Sequence, residues 1–261
     1  MGCSIYTFKC SPKSSDLTDE TALGLAHREI CAELPPIAGI LNGAAVFRDN
    51  SIMNMSFAEL EDTLRPKVLG SLYLDRIFHD QDLEFFILTS SITSLLGNEG
   101  QANYAVANTF MCGLAAQRRR RGLAATAINM GAIVGIGMLE RGDRKLSESV
   151  LRRLSLMPVS EGDFHQIIAE AIEAGRPDSA ICGPELTTAI RAVPYDEPSP
   201  PGYFSNPMFS HFRLKGLDPQ RAKGPKTQSV KELLAVCETK IKLQTTIGGI
   251  FSHTSPIRPE S

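Results

Sequence analysis

Apolar residues along the chain occur in short continuous runs separated by longer amphipathic stretches. The run Phe85–Leu88 is apolar throughout, which is typical of a strand covered on both faces, and it predicts a strand over 83–88. Similar runs predict strands over 37–41, 124–130 and 186–192. The strands are therefore expected to be short and buried.

The stretches between these runs carry apolar residues at helical spacing. They predict helices over 19–33, 56–77, 104–119, 145–154 and 163–174. Ser56 and Glu59 have the spacing of a capping box, and Pro66 is expected to kink or divide the helix that they begin. Strand and helix alternate from residue 37 onward, so the sequence predicts an α/β fold with a mostly parallel, doubly wound sheet.

The C-terminal part has a different composition. Seven prolines fall between Pro194 and Thr227, where apolar periodicity is weak. We therefore predict a principal domain over 1–193 and a proline-rich linker or extension over 194–228. Residues 229–261 are predicted to form a short helix, over 230–243, and a disordered tail.

Composition narrows the function classes. The chain has 261 residues, 43% of them hydrophobic, and a net charge of −2, which argues against a nucleic-acid-binding surface. Its six cysteines show no close spacing, so they predict reduced thiols and no metal site. No apolar run approaches the roughly 18 residues of a membrane helix, and the start shows no secretory signal. These features favour a cytoplasmic protein.

Candidate chemistry is concentrated around the segment 89–108, where a strand is expected to end and a helix to begin. Tyr104 and Asn108 lie four residues apart, Ser91 lies thirteen residues before Tyr104, and Lys67 lies twenty-four residues before Ser91. A phenol, an amide, a hydroxyl and an amine are the groups needed for proton-coupled carbonyl reduction. Open α/β sheets place such groups at the carboxyl ends of their strands.

Each of the four residues has a role in this hypothesis. Tyr104 would donate a proton, and the ammonium of Lys67 would lower the phenol pKa from about 10 by roughly one to three. Ser91 would hold the carbonyl oxygen, and Asn108 would orient Lys67 or a water molecule. Taken singly, a helix-capping serine, a core tyrosine and a solvated lysine explain these residues as well.

The stretch GNEGQANYAVANTFMCGLAAQRRRRG resembles the ketoreductase domain of polyketide synthases, most closely the fungal highly reducing enzymes and polyketide–peptide hybrids. These are relatives of short-chain dehydrogenases. The four candidate residues fall on the family's catalytic lysine, serine, tyrosine and asparagine. Ordinary short-chain dehydrogenases have YxxxK, whereas here Tyr104 begins YxxxN and the lysine lies on the preceding helix. Similar pieces extend from about residue 16 to 212, including DLTD, PPIAGILNGAAV, LRPKVLGSLYL and SNPMFSHF.

The resemblance implies NADPH as reductant and a β-ketoacyl thioester, tethered to an acyl carrier, as substrate. Other polyketide synthase domains or chains are implied as partners. It places Asp16 and Leu17 at the adenine and the segment 135–155 as a lid over the substrate. Further implied cofactor residues are Asn42, Gly43, Ala44, Lys67, Tyr104, Gly131, Ala132 and Ile133.

The chain departs from the family pattern in lacking GxGxxG, the glycine-rich phosphate loop. The resemblance thus implies the C-terminal part of a ketoreductase, with a partial Rossmann-like sheet that lacks the first strands. An incorrect gene model, a truncated gene and a fragment that complements another chain are all open. We expect the chain alone to bind NADPH weakly or not at all. A non-catalytic remnant with an interaction role and a stand-alone short-chain reductase are the alternative functions.

Two further features carry expectations. Phe47-Arg48-Asp49 occupies the place of the family's LDD motif, with Asp49 eighteen residues before Lys67, and Gln101 also matches that class. This resemblance implies a D-configured β-hydroxy product. The run Arg118–Arg121 is expected to be a solvated helix end that interacts with the helix dipole, with a docking patch for an acidic carrier as the alternative.

Overall fold

The computed structural model describes residues 15–134, 156–179 and 183–214. Their central element is a four-stranded parallel sheet. Its strands lie side by side in chain order, each parallel to the next. They are β1 (Gly39–Asn42), β2 (Phe85–Ser91), β3 (Thr126–Met130) and β4 (Glu185–Thr187). Parallel neighbours need crossover connections, which the helices supply.

The helices alternate with the strands, as the apolar pattern predicts. They are α1 (Glu20–Glu33), α2 (Phe57–Ile77), α3 (Thr93–Leu96), α4 (Ala102–Arg120) and α5 (Glu161–Ala174). The predicted α/β class is confirmed. The helices expected over 145–154 and 230–243, the lid 135–155 and the C-terminal tail lie outside the described residues.

Hydrophobic cores cover both faces of the sheet, and β2 shows why. Successive side chains of a strand point to opposite faces. Phe86 and Leu88 enter one core with Met111 and Leu114 of α4, whereas Ile87 enters the other with α5. All three β2 side chains are fully buried, which explains the continuous apolar run.

Helix α2 begins where the sequence predicts, but it is not divided at Pro66. Ser56 and Glu59 form the expected capping box. The helix then continues through Pro66 to Ile77. Proline removes one internal hydrogen bond, but Pro66 is buried and its carbonyl accepts a bond from Asn42 Nδ2 at 3.4 Å. Tertiary packing therefore holds the helix together at this residue.

The segment after β4 is less regular than the sequence predicts. The strand expected over 186–192 ends at Thr187, and Ala189 then adopts a positive φ of 67°, a conformation that strands do not use. Further on, two 3₁₀ turns, Gly202–Ser205 and Pro207–Phe212, bring the rings of Tyr203 and Phe209 within 5.4 Å of each other.

The chain divides into two compact units. One comprises the residues up to Ala192 together with Ser199–Phe212, and of the described elements it contains the four-stranded sheet, both cores and helices α1 to α5. The other comprises Val193–Pro198 and the residues from Arg213 onward. Within the second unit, β5 (Val193–Pro194) and β6 (Arg213–Leu214) pair in parallel.

Within the described ranges, no helix has the length and apolar character needed to cross a membrane. The same residues contain no cluster of three or more His, Cys, Asp or Glu side chains placed to hold a metal ion. Cys31 and Cys112 are free thiols.

Candidate active site

The carboxyl ends of three strands meet at one edge of the sheet and carry most of the candidate residues. The pairing register sets Asn42 beside Leu88 and Ser91 beside Met130. Ser91 therefore ends β2 at the same edge where Gly131 follows β3. In open α/β sheets this edge is where ligands bind.

Lys67 is a buried cation at this edge. Its side chain is 2% exposed, and Nζ donates to the Thr89 carbonyl oxygen at 2.7 Å and lies 3.7 Å from Met111 Sδ. Burial lowers its pKa to about 8, with Cys112 acting weakly in the opposite direction. A buried ammonium is costly unless it is well paired, so this placement is not that of a solvated helix lysine.

Tyr104 lies against Lys67, with Nζ 5.3 Å from the centroid of the phenol ring. The tyrosine is 9% exposed, and burial raises its pKa. Side-chain hydrogen bonding from Asn108 and Ser91 acts in the opposite direction, and the Asp49 carboxylate adds to the increase. The direction is the reverse of the expected lowering, because burial disfavours phenolate more than its neighbours favour it.

Ser91 and Asn108 complete the predicted quartet. Ser91 Oγ accepts from the Thr93 amide at 3.2 Å. Asn108 Nδ2 donates to the Tyr104 carbonyl at 2.7 Å, and its buried Oδ1 has no partner among the described residues. Among the described residues, the Lys67 amine donates to Thr89 and lies near Met111 and the Tyr104 ring, and no hydrogen bond joins it to Asn108.

The quartet can protonate an oxygen that gains negative charge. A raised pKa keeps the phenol of Tyr104 protonated at neutral pH, so it is a proton donor there. The ammonium of Lys67 stabilises the phenolate that remains after transfer, since an opposite charge nearby favours the ionised form. A serine hydroxyl beside the phenol supplies a second donor to the same oxygen.

The residues assigned to the adenine have local roles. The Asp16 carboxylate accepts from the Thr18 amide at 2.8 Å and from its hydroxyl at 2.9 Å. Leu17 packs so closely on α2 that a Cβ on Gly70 would lie 2.6 Å from its Cγ. The side chain of Leu17 therefore belongs to the core.

Asn42 turns into the protein from the end of β1. Its Nδ2 donates to Ser71 Oγ at 2.9 Å, and its Oδ1 accepts from the Ala44 amide at 3.0 Å. This arrangement bends the chain after β1 and leaves Gly43 exposed. A Cβ on Gly43 would meet only Leu41 and Thr89, at 3.5 and 4.0 Å, so the backbone is open to a ligand.

Gly131–Ile133 follows β3 and is held by the segment after β4. The Gly131 amide donates to Thr188 Oγ1 at 2.8 Å. A Cβ at Gly131 would lie 2.3 Å from that of Ala189, so only glycine fits. The Ala132 carbonyl accepts from the Val159 amide at 2.9 Å, and Ile133 forms a parallel bridge with Val159.

Asp49 and Gln101, predicted to control stereochemistry, contact each other. Gln101 Nε2 donates to Asp49 Oδ2 at 2.9 Å, and Asn98 Nδ2 donates to Gln101 Oε1 at 3.0 Å. The bond joins the loop after β1 to the start of α4, three residues before Tyr104. The structure thus brings both residues to the margin of the site.

Sequence reasoning missed two residues around Tyr104. The ring of Phe47 lies against the phenol ring with centroids 4.6 Å apart, and Asn103 is 1% exposed directly before it. Phe47 was visible only as a departure from the LDD motif. A buried asparagine in the first turn of a helix gave no separate signal.

The arginine run is only in part the solvated helix end that we expected, since Arg120 and Arg121 are exposed and Arg118 is not. Arg118 is fully buried, and its Nη1 donates to Asp75 Oδ1 at 2.5 Å. Arg121 Nη2 contacts the same oxygen at 2.6 Å, and Arg119 donates to the carbonyls of Gly175 and Arg176. The expected solvated end is wrong for Arg118, because α4 packs against α2 up to its last turn.

Comparison with known proteins identifies the family to which this site belongs. The model of the family described as "KR domain" matches residues 1–135, which is more than half of the chain. The matched region includes Lys67, Ser91, Tyr104 and Asn108.

Curated relatives are fungal polyketide enzymes. The chain is 48% identical to highly reducing polyketide synthase calA of Penicillium decumbens over 241 residues, which cover 91% of this chain and 8% of the relative. It is 40% identical to trichosetin synthetase PKS-NRPS1 of Gibberella fujikuroi over 93% of this chain and 6% of the relative. The chain thus spans less than a tenth of the length of these relatives.

Solved structures of ketoreductases are also similar to this chain. A ketoreductase from the first module of phoslactomycin biosynthesis in Streptomyces sp. HK803 is 32% identical, with a TM-score of 0.58, over 66% of this chain and 38% of that chain. A ketoreductase domain from the bacillaene assembly line is 26% identical, with a TM-score of 0.59, over 67% of this chain and 41% of that chain. The chain therefore belongs to the KR domain family, the ketoreductases of polyketide synthases, and has their Rossmann-like α/β fold.

Proposed function

We propose that this chain provides the catalytic part of a ketoreductase that reduces a β-ketoacyl thioester to a β-hydroxyacyl thioester with NADPH. The observation that carries the proposal is the buried contact between Lys67 and Tyr104, 5.3 Å from amine to ring centroid, at the strand edge that also holds Ser91. A buried cation against a protonated phenol is costly to maintain, and carbonyl reduction uses both groups.

The reaction needs a proton at the carbonyl oxygen as hydride reaches the carbonyl carbon. Tyr104 gives its phenol proton to that oxygen, and the C=O double bond becomes a C–O single bond as a C–H bond and an O–H bond form. Ser91 donates a hydrogen bond to the same oxygen while negative charge develops there. Lys67 stabilises the phenolate until it is reprotonated, and the unpartnered Oδ1 of Asn108 provides an acceptor for a proton-relaying water.

KR domains use a nicotinamide dinucleotide, and NADPH is the form that we assign here. When bound, it supplies the hydride. The residues present fit the nicotinamide end of the cofactor. The exposed backbone at Gly43 allows a ligand to approach closely. The Lys67 amine donates to one strong acceptor, the Thr89 carbonyl, so its other protons remain available for a hydroxyl group. Gly43, Ala44, Lys67, Tyr104 and Gly131–Ile133 would hold that end. Asp16 and the backbone at Leu17 would meet the adenine.

The relatives support the assignment of the substrate class. They are highly reducing polyketide synthases and hybrid synthetases. We therefore assign an acyl-carrier-bound β-ketoacyl substrate and a working context beside other polyketide synthase domains. A non-catalytic remnant would retain the fold without turnover, and the following experiment separates the two.

The test measures NADPH oxidation with a β-ketoacyl thioester. It uses the full chain and a version of the Penicillium decumbens relative in which this chain replaces the matching segment. Tyr104→Phe should reduce kcat by at least about a hundredfold, because the proton is needed in the transition state, while cofactor affinity changes by less than about threefold.

Tyr73→Phe is the matched control, since Tyr73 is a partly exposed tyrosine on α2 that contacts Arg76. It should retain full turnover. Absence of turnover in both unmodified proteins would overturn the proposed function and favour the remnant. Near-normal turnover of Tyr104→Phe would overturn the role of Tyr104 alone.

A further inference from the structure

Four consecutive residues of the loop after β1 contact the start of α4 in matching order. Phe47 packs on Tyr104, the Arg48 carbonyl accepts from Asn103, Asp49 accepts from Gln101, and the Asn50 amide donates to the Gly100 carbonyl at 2.9 Å. The loop thus runs antiparallel to residues 100–104 and contacts nearly every one of them. The position of Tyr104 depends on this seam.

Asn103 is the central residue of the seam. Its Nδ2 has two protons. One is donated to the Arg48 carbonyl at 2.9 Å and the other to Thr63 Oγ1 at 3.1 Å. Its Oδ1 accepts from the Tyr104 amide at 2.8 Å. Both polar atoms of this buried side chain are therefore bonded, Nδ2 to two partners and Oδ1 to one, and the three partners belong to three different elements.

The bond to the Tyr104 amide replaces a missing helix cap. The first amides of a helix have no partner within it, and an N-cap side chain usually satisfies one of them. The N-cap residue of α4, Gln101, makes no such bond, because its Oε1 accepts from Asn98 and its Nε2 donates to Asp49. Asn103 supplies the acceptor instead, directly at the catalytic candidate.

The bond to Thr63 reaches the helix that carries Lys67. Thr63 lies four residues before Lys67 on α2 and is fully buried. Residues four apart share one face of a helix, so Thr63 and Lys67 both face α4. The bond from Asn103 to Thr63 therefore fixes α2 relative to α4 one helical turn from the contact between Lys67 and Tyr104.

We propose that Asn103 is a positioning residue that sets Tyr104 against Lys67 by joining α4 to Thr63 of α2 and to the Arg48 carbonyl of the loop. The inference rests on the proposed function for its kinetic consequence. Its geometric consequence does not depend on turnover. Loss of the link should move the phenol while leaving the cofactor contacts at Gly43 and Gly131 intact.

The experiment removes the link from the side of Thr63, because Asn103→Ala also leaves buried polar groups unpaired and endangers folding. Thr63→Val removes the hydroxyl and keeps the shape, and Thr63→Ser restores the hydroxyl. Thr109→Val is the matched control, since Thr109 is exposed and its hydroxyl donates to the Ala105 carbonyl within α4. All variants are made in the full chain and in the segment-swapped relative described above.

Two readouts are measured for each variant. The NMR signal of isotope-labelled Tyr104, assigned with Tyr104→Phe, reports the position and pKa of the phenol in the absence of substrate. Steady-state kinetics report kcat and KM separately. For Thr63→Val we expect a shifted Tyr104 signal and pKa and a kcat lowered about tenfold, with KM for NADPH within about twofold. Thr63→Ser should return both readouts towards the unmodified protein, and Thr109→Val should change neither.

The outcomes are distinguishable. If Thr63→Val loses thermal stability but keeps the Tyr104 signal and kcat, Asn103 and Thr63 have a purely structural role and the proposal is overturned. If the unmodified protein shows no turnover, the proposed function fails, yet a shift of the Tyr104 signal that Thr63→Ser reverses still supports the positioning role. An unshifted signal overturns that role whatever the turnover.

Discussion

At the scale of single residues, the site is a set of buried ionisable groups whose protonation is set by burial. Lys67 has a pKa lowered to about 8 from an ordinary 10.5, and the pKa of Tyr104 is raised. Both changes favour the neutral form, as expected when desolvation dominates. At neutral pH the phenol is protonated and most of the amine is still charged, which is the combination that proton donation requires.

The buried charge of Lys67 has a cost that depends on pH. Between about pH 8 and pH 10.5 the unfolded chain, with the ordinary lysine pKa, binds more protons than the folded protein. The free energy of unfolding should therefore rise with pH across that window. Below it, both states carry the charge and the folded protein bears the full cost of burial.

Lys67→Met should accordingly be more stable than the unmodified protein at neutral pH, by about 1–3 kcal/mol, because a similar side chain replaces a buried cation. Its advantage should shrink as the pH rises towards 10.5, the upper limit of the window. Urea denaturation at several pH values measures both effects, and reduction activity should be lost.

Arg65→Met removes a half-exposed cation from the same helix. This control should change stability by less than about 0.5 kcal/mol at any of these pH values. A Lys67→Met variant less stable than the unmodified protein at neutral pH would show that the bond to Thr89 outweighs the cost of burial.

At the scale of elements, α2 and α4 form the support of the site, and each contains an interior glycine with a different environment. A Cβ on Gly70 of α2 would lie 2.6 Å from Leu17 Cγ, whereas a Cβ on Gly113 of α4 would meet nothing within 4 Å. Glycine costs a helix up to about 1 kcal/mol relative to alanine. An alanine at Gly113 therefore tests helix propensity alone, whereas an alanine at Gly70 tests close packing as well.

Gly70→Ala should lower the free energy of unfolding by about 1–2 kcal/mol, since the crowding of Leu17 outweighs the gain in propensity. Gly113→Ala should raise it by about 0.5–1 kcal/mol. Denaturant titration of the two variants measures both. Equal stabilisation by the two alanines would mean that Leu17 moves aside without cost.

The elements were largely predictable from sequence, and the exceptions share a physical cause. The capping box at Ser56 and the buried strand at Phe86 were predictable, because each depends on residues only a few positions away in the sequence. The continuity of α2 at Pro66, the end of β4 before Ala189 and the burial of Arg118 depend on partners far away in sequence. Periodicity and composition contain no information about such partners.

In the site, too, some features were predictable from the sequence and others depend on the fold. The types and spacings of Lys67, Ser91 and Tyr104 predicted a catalytic group that the structure brings to one place. The direction of the Tyr104 pKa could not be predicted, because it follows from how completely the fold removes water from the phenol. The seam around Asn103 was invisible for the same reason, since its partners Arg48 and Thr63 lie 55 and 40 residues away.

At the scale of the whole molecule, the chain matches one segment of much longer relatives. The match to calA covers 91% of this chain and 8% of the relative. The bond between Gln101 and Asp49 lies at the margin of the site, and we propose that a carrier-bound substrate enters past it. The side from which the acyl chain enters determines which carbonyl face receives hydride.

We therefore predict a D-configured β-hydroxy product, following the LDD-type position of Asp49 and the match at Gln101. Chiral chromatography of the product from the segment-swapped relative measures it, and a predominantly L-configured alcohol would contradict the assignment. Gln101→Ala should erode the selectivity, whereas Asn98→Ala, which keeps the bond to Asp49, should retain it.

The buried pair between Arg118 and Asp75 lies at the other end of the same two helices, where the guanidinium also stacks 4.0 Å from the Phe86 ring. This ion pair and the bond between Asn103 and Thr63 join α4 to α2 at two separate points. Apolar contacts between helices tolerate sliding, but a one-turn shift of α4 along α2 would leave a buried charge unpaired. The two contacts therefore fix the register of α4 on α2, and with it the placement of the lysine against the tyrosine.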